Sequence, residues 1–163
     1  MEELEQSVPF ASPGEELVVS LLRSADAARR FMAGVLLDED LTDQQYNVLR
    51  ILRGAGPEGL ATLEIGRRMI ERTPGVTRLV DRLLQKDLVT RERDPRDRRR
   101  IVCSITEDGM DTLARIEPRL RGALEAFEGA LDPEVLEELA HRLAEVRSAL
   151  RGATPPRAPA RRD

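Results

Sequence analysis

Between Val76 and Ile105 the apolar pattern changes its period, and that change constrains the fold more than any other feature of the chain. Val76, Leu79, Val80, Leu83 and Leu84 recur at i, i+3, i+4, i+7 and i+8, the spacing of one helix face. From Val89 the repeat shortens to two: Val89, Arg91 and Arg93 on one run, Ile101, Cys103 and Ile105 on the next. A helix that leads directly into two short strands must end in a hairpin. Its tip, "DPRDRR", is about six residues, longer than a tight turn needs.

Upstream, everything reads as helix. Leu17, Val18, Leu21, Leu22, Ala25, Ala28, Phe31, Met32, Val35 and Leu36 predict a first helix from about Glu15 to Leu37, ended by "DED" at 38–40. Its apolar stripe is wider than the edge of one small domain requires. Thr42 and Gln45 form a capping box for the second helix, with Leu41 and Tyr46 as its hydrophobic staple. Val48, Leu49 and Leu52 continue that face, and "GAGPEG" at 54–59 breaks it. A short helix is expected from about Thr62 to Ile70, burying Leu63, Ile65 and Met69. Thr73 then caps the next helix, with Pro74 at its first position, where a missing N–H costs nothing.

Downstream of the hairpin, "TEDG" (106–109) restarts helix, with Met110, Leu113, Ile116, Leu120, Leu124 and Phe127 as its stripe. Pro118 should kink or divide it. Asp132 caps a last helix carrying Val135, Leu136, Leu139, Leu143, Val146 and Leu150, and 152–163 has the composition of a disordered tail. The core must be aliphatic, because Tyr46, Phe10, Phe31 and Phe127 are the only aromatic residues. The fold class is therefore all-α with a small β-hairpin.

Net charge is −4, but it is unevenly spread. Residues 1–60 hold 5 basic and 11 acidic side chains, 61–102 hold 12 and 7, and 103–163 hold 9 and 12. Arg91, Arg93, Arg96, Arg98, Arg99 and Arg100 crowd the hairpin. One reading is a solvated surface with internal Arg–Asp pairs. The other is the footprint of a polyanion binder. The element order favours the second. Two short helices, the second cationic on its exposed face, followed by a hairpin with a basic tip, make a winged helix-turn-helix. In that motif the second helix enters the DNA major groove, and the hairpin, or wing, reaches phosphates or a narrow minor groove. The polar face of that helix holds Thr73, Thr77, Arg78, Asp81, Arg82 and Gln85. Thr73, Thr77, Arg78, Arg82, Arg96, Arg98 and Arg99 are the candidate DNA contacts, with pairing to Asp81 or Asp87 the alternative for Arg78 and Arg82.

The stretch "TRLVDRLLQKDLVTRERDPRDRRRIVCSITEDG" resembles the MarR family of transcription regulators. "TRLVDRL" on the recognition helix, "DPRDRR" at the wing and "SITEDG" entering the next helix carry the likeness, which extends over about Leu17 to Leu150. Where the family usually has a glycine in the turn between the two short helices, this chain has Ile70. Asp97 and Arg99 match the family's Asp-x-Arg wing signature, which gives Asp97 the role of orienting an arginine, with a plain turn former as the alternative.

The resemblance implies a MarR-like domain over 15–151 behind an extension at 1–14. Within it, a winged helix-turn-helix spans about 41–106, and helices at about 15–37 and 107–151 interlock two chains into a homodimer. It further implies binding to double-stranded DNA at a pseudo-palindromic operator, with repression as the usual outcome and release by a small-molecule effector. Candidates to line the effector site are Phe31, Val35, Tyr46 and Leu49, each equally suited to plain core. The alternatives are regulation by protein abundance alone and a winged helix that contacts only proteins.

Other classes find little support. Cys103 is the only cysteine and alternates with Ile101 and Ile105, so it reads as core. His141 stands alone, and no Cys/His cluster suggests a metal. Neither a Gly-rich phosphate loop nor a nucleophile elbow is present, so no enzyme and no cofactor is expected. The acidic start "MEELEQ" is unlike a signal peptide and no apolar run approaches a membrane span, so a cytoplasmic location away from the membrane is expected.

Overall fold

A computed structural model describes residues 9–71, 75–94 and 101–153. The described elements are α1 (Pro13–Leu36), α2 (Asp43–Ala55), α3 (Thr62–Arg68), α4 (Val76–Gln85), β1 (Val89–Arg93), β2 (Ile101–Ile105), α5 (Glu107–Glu128) and α6 (Pro133–Gly152). Single 3-10 turns follow α1 at Leu37–Glu39 and α2 at Gly56–Glu58. The chain divides into two compact units, Met1–Leu120 and Arg121–Asp163.

The larger unit is built on α2. Thr42 Oγ1 accepts from the Gln45 amide at 3.2 Å, and the Gln45 side chain accepts from the Thr42 amide at 3.0 Å, so the expected capping box is made. Val48, Leu49 and Leu52 are fully buried, and α2 packs against α1, α3, α4 and β2. The hairpin is antiparallel, with Val89 opposite Ile105, Arg91 opposite Cys103 and Arg93 opposite Ile101. Leu60 adds a third edge that sequence periodicity does not reveal. Its amide donates to the Cys103 carbonyl at 2.9 Å and its carbonyl accepts from the Cys103 amide at 2.8 Å. Gly59 makes this possible: at φ +62°, a Cβ there would sit 2.5 Å from the Cys103 carbonyl oxygen. β2, which packs against α2 and α3 as well, is buried at both Val102 and Cys103. Strict two-residue alternation thus fails in the middle of the wing.

The "TEDG" start of α5 has an equally local cause. Thr106 Oγ1 accepts from the Gly109 amide at 3.0 Å while donating to the Asp87 carbonyl at 2.8 Å. Gly109 passes so close to the hairpin that a Cβ would lie 2.3 Å from the Leu88 carbonyl oxygen. The helix thereby starts directly on the foot of the wing.

Several boundaries differ from the sequence reading. The first helix begins at Pro13, capped by Ser12, whose hydroxyl accepts from the Glu15 amide. The third ends at Arg68, because Met69 turns to extended backbone. Leu63 is 68% exposed rather than buried, leaving Ile65 and Met69 as the buried residues of this segment. The fourth begins at Val76 with Gly75 as its N-cap, two residues later than expected. The expected cap, Thr73, and Pro74 lie outside the described residues. Pro118 does not divide α5. The two residues flanking this proline are tied to earlier helices of the larger unit or their ends, Glu117 to Arg53 and Arg119 to Asp38. Leu113 and Ile116, one turn earlier, are buried. One missing hydrogen bond does not break a helix anchored on both sides. In the smaller unit, Asp132 caps α6 as expected, its carboxylate accepting from the Glu134 amide at 2.9 Å.

Candidate nucleic-acid interface

α4 is amphipathic because its two faces answer different demands. Leu79, Val80 and Leu83 are buried, and Thr77, Arg78, Arg82 and Gln85 lie on the opposite, more accessible face. Arg78 and Arg82 are four residues apart, so they rise one above the other, about 6 Å along the axis. Among the described residues neither has an ion-pair partner. Asp81 pairs instead with Arg91 of β1, at 2.8 Å. Burial alone would lower the Arg91 pKa, but the Asp81 carboxylate and the neighbouring Cys103 outweigh it and raise it. This pair ties the root of the wing to the side of α4, so the two would meet a ligand as one piece.

Arg82 and Gln85 also border an open depression of about 870 Å³ whose other cations are Arg29, Arg30 and Lys86. Those three are paired, with Glu71, Asp26 and Asp40 respectively. Lys86 holds the Asp40 carboxyl below the usual carboxylate range. Arg82 is the cation of this depression left without an ion pair among the described residues. On α3, Arg67 pairs with Glu64, while Arg68, which no sequence motif marks out, is exposed and has no ion pair among the described residues. On the wing, Arg93 is exposed. Thr73, Arg96, Asp97, Arg98 and Arg99 lie outside the described residues.

Of the four effector candidates, Tyr46 lines an open cleft. This cleft, of about 480 Å³, opens between α1, α2 and residues 69–71, walled by Ala25, Ala28, Met32, Tyr46, Met69 and Ile70 and edged by Arg29, Asn47, Arg50 and Glu71. Tyr46 lines it, with the Arg50 guanidinium 5.8 Å above its ring centroid. Val35 and Leu49 are buried, and Phe31 lies on α1 without lining the cleft. The polar edge escapes sequence reasoning because it is assembled from residues far apart in the chain, Arg29 on α1 and Glu71 beyond α3. Cys103 is fully buried, and His141 pairs with Glu145 on the surface of α6. Among the described residues no group of His, Cys, Asp and Glu could hold a metal ion, and no helix is long and apolar enough to cross a membrane.

Residues 41–101, spanning α2 through the wing, match the MarR family. A MarR transcription factor from Planctomyces limnophilus is 37% identical, with 85% of this chain and 99% of that one covered and a TM-score of 0.62. The chain belongs to the MarR family. It is a DNA-binding transcriptional regulator of winged-helix fold. The repressor of the homoprotocatechuate degradative operon of Escherichia coli is 25% identical over 80% of this chain and 87% of its own length. In fold alone, the chain also resembles MepR of S. aureus in complex with DNA, at 23% identity and a TM-score of 0.71 over 80% of this chain and 96% of that one. These relatives are transcription regulators rather than enzymes.

Proposed function

We propose that the protein is a homodimeric repressor that reads a pseudo-palindromic operator with Thr77, Arg78 and Arg82 of α4 and anchors itself to phosphates through Arg96, Arg98 and Arg99 of the wing, Asp97 orienting one of these arginines. Thr73, just before α4, belongs to the same reading face. The observation that carries this reading is the outward face of α4, where Arg78 and Arg82 have no ion pair among the described residues while Asp81 is taken up by the wing root. A surface neutralised by Arg–Asp pairs along α4 would have used Asp81 for them. Repression is supported by the Escherichia coli relative, an operon repressor. Dimerisation through the first and last helices is supported by their exposed leucines, among them Leu22 and Leu139. The cleft at Tyr46 is the place for a small-molecule effector, with apolar walls and a few polar groups at its edge.

The test is to sequence DNA fragments retained by the purified protein and titrate the recovered duplex at two salt concentrations. Recovery of an inverted repeat with half-sites about one helical turn apart is expected. Affinity should fall steeply between about 50 and 200 mM salt, since each neutralised phosphate releases counterions. Absence of any enriched sequence, with affinity flat in salt, would overturn the reading in favour of a winged helix that contacts only proteins.

A further inference from the structure

Ile70 and Glu71, which follow α3, are held from outside their own motif. The Ile70 amide donates to Asn47 Oδ1 of α2 at 3.1 Å. Glu71 Oε1 accepts from Nε and Nη2 of Arg29 on α1, at 2.9 and 2.6 Å, and its Oε2 accepts from Nε2 of Gln44 on α2 at 3.2 Å. Met69 is buried, but Ile70 is 84% exposed, so past Met69 packing does little to hold the chain. Nor does α4 fix its own start: its N-cap is Gly75, with no side chain to close the first turn. The buried face of α4, Leu79, Val80 and Leu83, seats the helix, and the polar contacts that α1 and α2 make with Ile70 and Glu71 add a second hold shortly before its start.

We propose that the Arg29–Glu71 contact, braced by Gln44, is a positioning latch through which α1 sets the placement of α4, so that DNA affinity depends on a residue pair that touches no DNA. This rests on the reading of α4 as the recognition helix. The latch lines the cleft at Tyr46, so a molecule bound there would lie against it. Arg29 and the Gln44 amide hold the Glu71 carboxyl below the usual carboxylate range.

Electrostatics alone and the latch predict opposite signs. Glu71 lies shortly before a helix that approaches phosphates, so removing its charge should tighten DNA binding if charge were its only role. If Glu71 is a latch, removal should loosen binding. Glu71→Ala is expected to weaken binding to a duplex selected by the wild-type protein about three- to fivefold, the scale that removal of one exposed hydrogen-bonded pair can produce. Its melting temperature should stay within about 3 °C of wild type, because exposed pairs contribute little to stability. Glu71→Gln should fall between the two. Arg29→Glu should weaken binding further, and the exchange Arg29→Glu with Glu71→Arg should restore it to within about twofold. Unchanged or tighter binding by Glu71→Ala, or no recovery in the exchange, would overturn the latch. If the wild-type protein selects no duplex, the DNA reading fails, and the latch is then judged by amide hydrogen exchange of Val76–Val80. Faster exchange in Glu71→Ala, reversed in the exchange variant, supports it, and equal rates overturn it.

Discussion

α4 and α6 are written in the same amphipathic code and end in opposite states. α4, ten residues long, hides Leu79, Val80 and Leu83 against α2, α3 and β1. α6, twenty residues long, buries none of its residues, and Val135, Leu139, Leu143 and Leu150 are all exposed. The apolar stripe states that a face must be covered, but not by what. For α4 the cover is contiguous chain, a short connector away. For α6 we assign it to a second copy, because large exposed apolar faces mark interaction surfaces. The same logic applies to α1, whose end at Val35 and Leu36 is buried while Leu17, Val18 and Leu22 are exposed.

The contrast can be broken at either helix. Leu83→Ala in α4 removes a fully buried side chain and should cost about 2–5 kcal/mol, visible as a large drop in stability in chemical denaturation at any protein concentration. Leu139→Ala with Leu143→Ala in α6 should act through association instead. At about 1 kcal/mol or more per truncated leucine placed in an interface, sedimentation should show at least tenfold weaker self-association. The melting temperature should become strongly concentration-dependent. An equal drop at all concentrations would mean that α6 is covered within its own chain.

The smallest effect is electrostatic. Glu71 and Asp40 have depressed carboxyl pKa values, through Arg29 with Gln44 and through Lys86. The folded state is the one that favours ionisation, so their contribution is complete above the unfolded carboxyl value near pH 4 and disappears as pH falls through the lower folded value. Asp40 is almost fully exposed and Glu71 partly so, and solvent screening keeps the gain slight. Melting curves of wild type and Glu71→Gln should differ a little at pH 6 and converge as pH falls towards 3.

What is legible in the sequence is local. The Thr42–Gln45 box and the Asp132 cap each depend on residues two or three apart, and the period change at Val89 marks the wing regardless of tertiary context. What is not legible needs distant partners. Thr-Pro is a strong cap signal and points to a start of α4 at Pro74, but Ile70 and Glu71 are held by Arg29, Gln44 and Asn47, from 23 to 42 residues away. The Leu60–Cys103 bridge is a single-residue strand with no periodicity to detect. Helical spacing offers Asp81 to Arg78, three residues before it on α4, but its partner Arg91 lies across a turn on β1. Aromatic and aliphatic residues facing inward describe a core as well as a cleft, so of the four effector candidates only Tyr46 lines the cleft.

The central claim is that α4 reads sequence and the wing supplies general attraction. Its most direct test is a fluorescence titration of the selected duplex and a scrambled duplex at two salt concentrations, using wild type, Arg78→Ala and the double variant Arg96→Ala with Arg98→Ala. Arg78→Ala should cost about 1–3 kcal/mol on the selected duplex and much less on the scrambled one. The wing variant should weaken both duplexes alike, with a salt slope shallower by about one unit for each phosphate no longer neutralised. Wild-type affinity in both variants, on both duplexes, would contradict the account.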